Sequence, residues 1–240
     1  MRFWLVFLAL VTAPLSLAAT EERECVVLLH GVGMGGWTMA PLARALEAAG
    51  YRPVNLTYPS RTLELERIAN EWLPARLREA GVDRAPRVHF VAHSMGSLVT
   101  RLYLRDQRPA NLGRVVLLGP PNHGSVAADR AEQSGFLRWL MGVNLARLGT
   151  GPAAVTPRLP PPDYEVGVIA GTERINPLFA RDLTGEHDGV VTVESARLEG
   201  MRAFLVVPHS HTGMLWRTTV QAQVVAFVRD GRFTSTPATP

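Results

Sequence analysis

The stretch Val88-His-Phe-Val-Ala-His-Ser-Met-Gly-Ser97 constrains the fold more than any other part of the chain. An apolar run of strand length passes into Ser94-Met95-Gly96 and then, without a linker, into a helical pattern from Met95 to Arg108. A strand that turns straight into a helix is the opening half of a βαβ unit, whose strands lie parallel and buried beneath helices. The rhythm recurs. Apolar runs at Cys25 to Leu29, Pro53 to Tyr58, Val115 to Leu118, Glu165 to Ala170 and Ala203 to Val207 predict further strands. Helices are expected over Pro41 to Ala49, from a Thr62 cap to Ala80 with Pro74 interrupting, and over Gly213 to Arg229. The expected fold class is α/β, a mostly parallel sheet of about six strands with helices on both faces. Such sheets carry their sites at the carboxyl ends of the strands.

A chain of 240 residues suits one domain, and 47% hydrophobic against 19% charged residues suits a packed core rather than a disordered chain. The basic residues are all Arg, and the net charge of +4 is scattered without a dense basic run, so no nucleic-acid partner is expected. Cys25 is the single cysteine, which rules out an intramolecular disulfide; its place at the head of an apolar run predicts a buried structural thiol. Met1 to Ala19 combines Arg2, the apolar run Phe3 to Val11 and the small-x-small triplet Ser16-Leu17-Ala18. This reads as a signal peptide and predicts an exported protein, with an uncleaved N-terminal membrane anchor as the alternative. The domain is then expected over 20–230, followed by a flexible tail at 231–240. Ser125 to Pro162 breaks the alternation and is too long for a plain connection, so a cap over a site is expected, with an ordinary crossover as the alternative.

Ser94 stands where a strand meets a helix, in the context of a nucleophile elbow. There the hydroxyl must project above the sheet from a tight turn, and residues two before and two after must be small. Gly96 meets that requirement; Ala92 departs from the usual glycine by one methyl group. The competing role for such a serine is a helix N-cap. The loop His30-Gly31-Val32-Gly33-Met34-Gly35-Gly36 lacks the G-x-G-x-x-G spacing, and the chain has no lysine, so neither phosphate-loop pattern is present. It is expected instead to form an oxyanion hole from the backbone N–H groups of Val32 and Met95.

Together with His30-Gly31 and the Ala92-to-Gly96 elbow, the segment Gly119-Pro-Pro-Asn-His-Gly-Ser125 resembles the α/β-hydrolase family, most of all its small bacterial lipases and esterases. His187-Asp-Gly-Val-Val-Thr-Val-Glu-Ser195 resembles their acid-bearing turn, and Ser210-His211-Thr212 is similar to their histidine loop. The resemblance extends over roughly Val26 to Val228. It implies Ser94 as nucleophile, Asp188 as acid and His211 as base, in the chain order that fold uses. A serine hydroxyl needs an imidazole to take its proton, and the imidazole needs a carboxylate to fix its tautomer.

Each role has a competitor. His209 could replace His211; the resemblance selects His211. Glu173 follows the fifth strand, where many hydrolases keep their acid; Asp182 reads as a surface residue. His93 and His123 have no place in the triad. Histidine spacing at His187 and His209 could suggest a metal, yet the serine elbow accounts for the same residues, so neither metal nor other cofactor is expected. Phe136, Trp139, Leu140 and Val143 share a helical face in the cap and are expected to wall the acyl site. The function expected is hydrolysis of carboxylic esters, of small molecules or lipids, with peripheral contact to lipid surfaces as part of that reading. Alternatives are an acyltransferase or thioesterase with the same acyl-enzyme, or a catalytically silent export chaperone or binding module.

Overall fold

The computed structural model describes residues 23–174 and 182–234. The proposed signal peptide and residues 235–240 lie outside them. Six strands form one sheet in the order β2-β1-β3-β4-β5-β6, every neighbouring pair parallel. They are β1 (Cys25–Leu29), β2 (Arg52–Leu56), β3 (Val88–His93), β4 (Leu112–Leu118), β5 (Val166–Gly171) and β6 (Ala203–Val207). Sequence position translates directly into sheet face, because side chains alternate along a strand. Cys25, Val27 and Leu29 point into one core layer and Val26 and Leu28 into the other. The second layer is closed by α1 (Ala40–Ala48) and the last helix, through Leu42, Leu46, Val220, Val224 and Phe227. The first is closed by the elements between β2 and β3 and by α4 (Met95–Asp106). Burial pushes the Cys25 thiol up to about 11, the state of an inert core residue.

The β2–β3 connection begins later than the Thr62 cap predicts. A short α2 (Leu65–Arg67) runs through a π turn (Ile68–Trp72) into α3 (Leu73–Glu79). Pro74 sits in the first turn of α3, where a missing N–H costs no helical hydrogen bond. The first amide of α2 is capped from elsewhere in the chain, by Asn144 Oδ1 at 2.7 Å. The same buried Asn144 donates to the Ser60 and Leu63 carbonyls at 2.8 Å each.

Between β4 and β5, three short helices replace a plain crossover: α5 (Val126–Gln133), α6 (Gly135–Met141) and α7 (Leu145–Leu148). Ser125 and Ser134 cap the first two, accepting from Ala128 N and Leu137 N. After β5 the chain forms α8 (Val193–Ala196), and after β6 it ends in α9 (Thr218–Asp230). The helix expected from Gly213 is broken at Arg217, whose extended backbone separates a 3-10 turn (Gly213–Trp216) from α9. The start of the expected flexible tail is docked. Thr234 and Gln223 exchange hydrogen bonds of 2.9 and 3.0 Å, and the Phe233 ring lies 5.0 Å from that of Phe227. No described helix is long and apolar enough to cross a membrane.

Candidate active site

Ser94 joins β3 to α4 with φ 53° and ψ −122°, the one positive φ outside glycine among the described residues. A side chain held in so sparsely populated a conformation marks a site that the surrounding packing over-determines. Part of that packing is visible at Gly96. A Cβ there would stand 2.6 Å from the Leu29 carbonyl oxygen and 2.7 Å from that of His30, so α4 can approach β1 only with glycine two residues after Ser94. Ala92, two residues before it, is fully buried and causes no break in β3.

Asp188 and His211 come from the loops after β5 and β6. The Nδ1–H of His211 donates to Asp188 Oδ2 at 2.7 Å. Asp188 Oδ1 accepts from the amides of Val190 (3.0 Å) and Val191 (2.8 Å), which leaves Oδ2 for the imidazole. The carboxylate is therefore buried, aimed and satisfied. This bond puts the proton on Nδ1 and leaves Nε2 as an acceptor. The pair rests directly on Gly119, the residue after β4. A Cβ at that position would lie 2.9 Å from His211 Nδ1 and 3.1 Å from Asp188 Oδ2, and the backbone there has φ 54°. Only glycine fits both demands. The sequence pattern marks Gly119 as part of a motif; its contact with the acid–histidine pair is visible only in the fold.

The competing residues do other work. Glu173 Oε2 accepts from the amide of Ser210 at 3.1 Å, so it braces the histidine loop through the backbone rather than the ring. Asp182 pairs with Arg130 at the surface. His209 does not line the cavity that holds Ser94. His123 is exposed and its Nδ1 lies 3.2 Å from the Ser195 carbonyl. His187 Nδ1 accepts from the amide of Gly189. Among the described residues no three His, Cys, Asp or Glu side chains form a group able to hold a metal ion.

The glycine-rich loop after β1 is fixed from both sides. Gly33 N donates to Ser60 Oγ at 3.0 Å and Gly36 N to Thr57 Oγ1 at 2.9 Å. His30 engages both ring nitrogens: Nδ1–H donates to the Gly31 carbonyl at 2.7 Å, and Nε2 accepts from Tyr58 N at 3.2 Å. Its ring stacks on Tyr58, and burial lowers its pKa, so it stays neutral. The amides of Val32 and Met95 have no acceptor among the described residues. Unpaired amides of this kind, one in a turn and one at a helix start, are free to bind an anion.

Val32, Ser94 and His211 line one cavity of about 220 Å³. Among the described residues no hydrogen bond joins Ser94 Oγ to His211 Nε2. The cavity wall comes from the β4–β5 segment, through Ala127, Ala128, Ala131, Met141, Leu145 and Leu148. The expected wall residues are not among them. Phe136, Trp139, Leu140 and Val143 are 67%, 69%, 40% and 57% exposed, so they face solvent. The inward side of α6 is Leu137 and Met141, one turn apart. In Gly135-Phe-Leu-Arg-Trp-Leu-Met141, apolar side chains surround the helix on nearly every side, and periodicity cannot select the buried face. Away from the cavity lining, Arg101 donates to Asn122 Oδ1 at 3.0 Å, and Asn122 donates to the Ala196 carbonyl at 2.8 Å. Asn122 of the Pro-Pro-Asn-His segment thus ties the loop after β4 to α4 and α8.

Comparison of the sequence with curated proteins gives no match. Among solved structures, a Bacillus licheniformis lipase in its mature form is 20% identical with a TM-score of 0.70, the match covering 88% of this chain and 93% of the lipase. An esterase from Thermogutta terrifontis gives 14% identity, a TM-score of 0.59 and coverage of 88% and 91%. Lipase B of Aspergillus fumigatus gives 17% identity and a TM-score of 0.63, matching 91% of this chain but 55% of that larger one. The model of the alpha/beta hydrolase family matches residues 26–235. Elbow, strand order and family model agree, and the chain belongs to the alpha/beta hydrolase family.

Proposed function

We propose that the protein hydrolyses carboxylic esters through an acyl-enzyme on Ser94, with His211 as general base and Asp188 fixing the imidazole. The observation that carries this reading is the strained Ser94 turn opening on a cavity that His211 also lines, with Asp188 bonded behind it. In the reaction His211 Nε2 takes the Ser94 proton as Oγ attacks the ester carbonyl. The amides of Val32 and Met95 receive the oxyanion. The imidazolium then protonates the leaving alcohol, and a water deprotonated by the same nitrogen releases the acid.

The cavity supports a particular substrate. Its volume of about 220 Å³ is below the range of drug-sized pockets, and the side of it formed by the β4–β5 segment is mostly Ala, Leu and Met. An acyl chain of short to medium length fits such a space. The four exposed apolar side chains of the cap, beside Arg138, support peripheral contact with a lipid surface. Export through a cleaved Met1-to-Ala19 signal peptide belongs to the same reading, and N-terminal sequencing of the native protein tests it.

A fluorophosphonate probe and a p-nitrophenyl ester series test the chemistry together. The expected result is labelling at Ser94, turnover peaking at short to medium acyl chains, and a loss of about 10⁴-fold or more in Ser94→Ala. A folded Ser94→Ala protein that keeps substantial turnover overturns the assignment.

A further inference from the structure

The reaction as written leaves His93 without a role, although it precedes Ser94 in the chain. It is fully buried, and its Nε2–H donates to the backbone carbonyl of His211 at 2.9 Å. A carbonyl can only accept, so the proton is on Nε2 and Nδ1 carries a lone pair. That Nδ1 is buried with no hydrogen-bond partner. The two imidazoles lie 4.7 Å apart, centre to centre. On its other side the ring fills the space a side chain at Gly31 would need: a Cβ there would be 3.0 Å from His93 Nδ1. One ring therefore touches three parts of the site. It is covalently next to Ser94, it packs against the residue before Val32, and it holds the backbone of His211.

A merely space-filling residue at this position would be apolar. Burying an imidazole with one nitrogen unpaired costs stability that Leu or Phe would not cost. Desolvation, the largest influence, and then the neighbouring His211 hold the His93 pKa well below its ordinary value, so the ring remains a neutral Nε2–H donor.

We propose that His93 is a positioning residue that sets His211 and the Val32 amide in fixed register with Ser94. The proposal rests on the reading of Ser94 and His211 as nucleophile and base. Removing the donor frees the His211 backbone and the Gly31 turn together. A misplacement on the order of 1 Å costs about 10²-fold in rate, and binding of the acyl chain in the wall is untouched.

The test compares the full chain with His93→Leu and His93→Gln, measuring kcat and KM for p-nitrophenyl butyrate, the rate of fluorophosphonate labelling, and the melting temperature. Leu matches the ring in polarity-free bulk; Gln places an amide N–H near the imidazole Nε2. In His93→Leu, kcat and labelling rate fall about 10²-fold while KM stays within about twofold and the melting temperature falls by no more than a few degrees, since the His211 carbonyl loses its donor while the unpaired Nδ1 is removed. His93→Gln recovers most of the lost kcat. A Leu variant with wild-type kcat overturns the role of His93, as does a Gln variant that melts like wild type yet is as slow as Leu. If Leu does not fold, a folded Gln variant at near-wild-type kcat supports the role and a slow one overturns it. A wild-type chain that neither turns over ester nor labels at Ser94 overturns the serine-hydrolase reading, and the role of His93 with it.

Discussion

In the floor beneath the cavity, behind the residues that line it, Asp188 engages both carboxylate oxygens, His30 both ring nitrogens, and His211 is held through ring and backbone alike. In the β4–β5 segment, the proposed cap, α6 shows Phe136, Trp139 and Leu140 to solvent, and one buried side chain, Asn144, carries three hydrogen bonds to the α2 region. The two regions face the same cavity with different physics. Proton transfer needs atoms fixed to a fraction of an ångström, which directional bonds in a dry interior provide. A wall for an apolar chain needs surface without direction, which loosely specified helices provide equally well.

The largest expected effect separates two carboxylates on the floor. Asp188→Asn should lower kcat/KM on the order of 10³ to 10⁴-fold, because an amide can hold His211 in the wrong tautomer. Glu173→Gln keeps an oxygen for the Ser210 amide and should change turnover little. Steady-state kinetics on one ester decides between them. If the two variants suffer equally, the histidine loop depends on bracing rather than on control of the tautomer.

A smaller effect probes the cap anchor. Asn144→Ala leaves the Leu65 amide without its cap and two carbonyls without donors, at a cost of about 1–3 kcal/mol. The cap should loosen while the floor keeps its geometry. KM for medium-chain esters should rise, and labelling of Ser94 by a small phosphonate should be unchanged. A fall in labelling equal to the rise in KM would mean that cap and floor are one rigid unit.

Acid should act on the sheet and the loops around the site rather than on Ser125 to Pro162, which contains no histidine, and burial lowers His89, His187 and His209 as well as the two histidines beside Ser94 and Gly31. Burial holds His30 and His93 below the ordinary histidine pKa in the folded state. Unfolded, they take up protons below about pH 6.5, so the unfolded chain binds more protons there. Their contribution to stability is then complete above pH 6.5 and is lost as the pH falls below it. The slope is up to about 1.4 kcal/mol per pH unit for each histidine. Melting temperatures between pH 7.5 and 5 should decline accordingly, and His30→Gln should flatten the decline. A flat profile in the wild type would contradict neutral, buried imidazoles.

Legibility in the sequence follows the same division. The ranges of β1 and β6 could be read directly, because continuous apolar runs end at turn residues. The start of β2 was less visible, since Arg52 and Pro53 suit only an edge strand, and β2 is one. β4 begins three residues before its apolar run, through Leu112-Gly-Arg114. The positions of Ser94, Asp188 and His211 could be proposed because local patterns surround each of them. The contacts of Gly119, Asn144 and His93 could not, since their partners are distant in sequence: Asn144 caps an amide 79 residues away and His93 holds a carbonyl 118 residues away.

The smallest expected effect is the most informative about the cap. Trp139 is exposed, with Arg61 over its ring at 5.9 Å and donating to its carbonyl at 3.1 Å. The backbone contact survives truncation of the ring, and an exposed cation–π pair contributes only ~0.5–1 kcal/mol. Trp139→Ala should therefore leave the melting temperature within about 4 °C of wild type. KM for soluble esters of any chain length should also hold, because Met141 and not Trp139 lines the cavity. Met141→Ala should behave oppositely, raising KM for medium-chain esters and sparing acetate. What Trp139→Ala should weaken is binding to vesicles, where an indole ring at the headgroup level contributes most. Sedimentation with phosphatidylcholine vesicles measures it. If the variant sediments like wild type while its KM for soluble butyrate climbs, then α6 turns its outer face inward in solution, and the exposed and buried sides of the cap exchange roles.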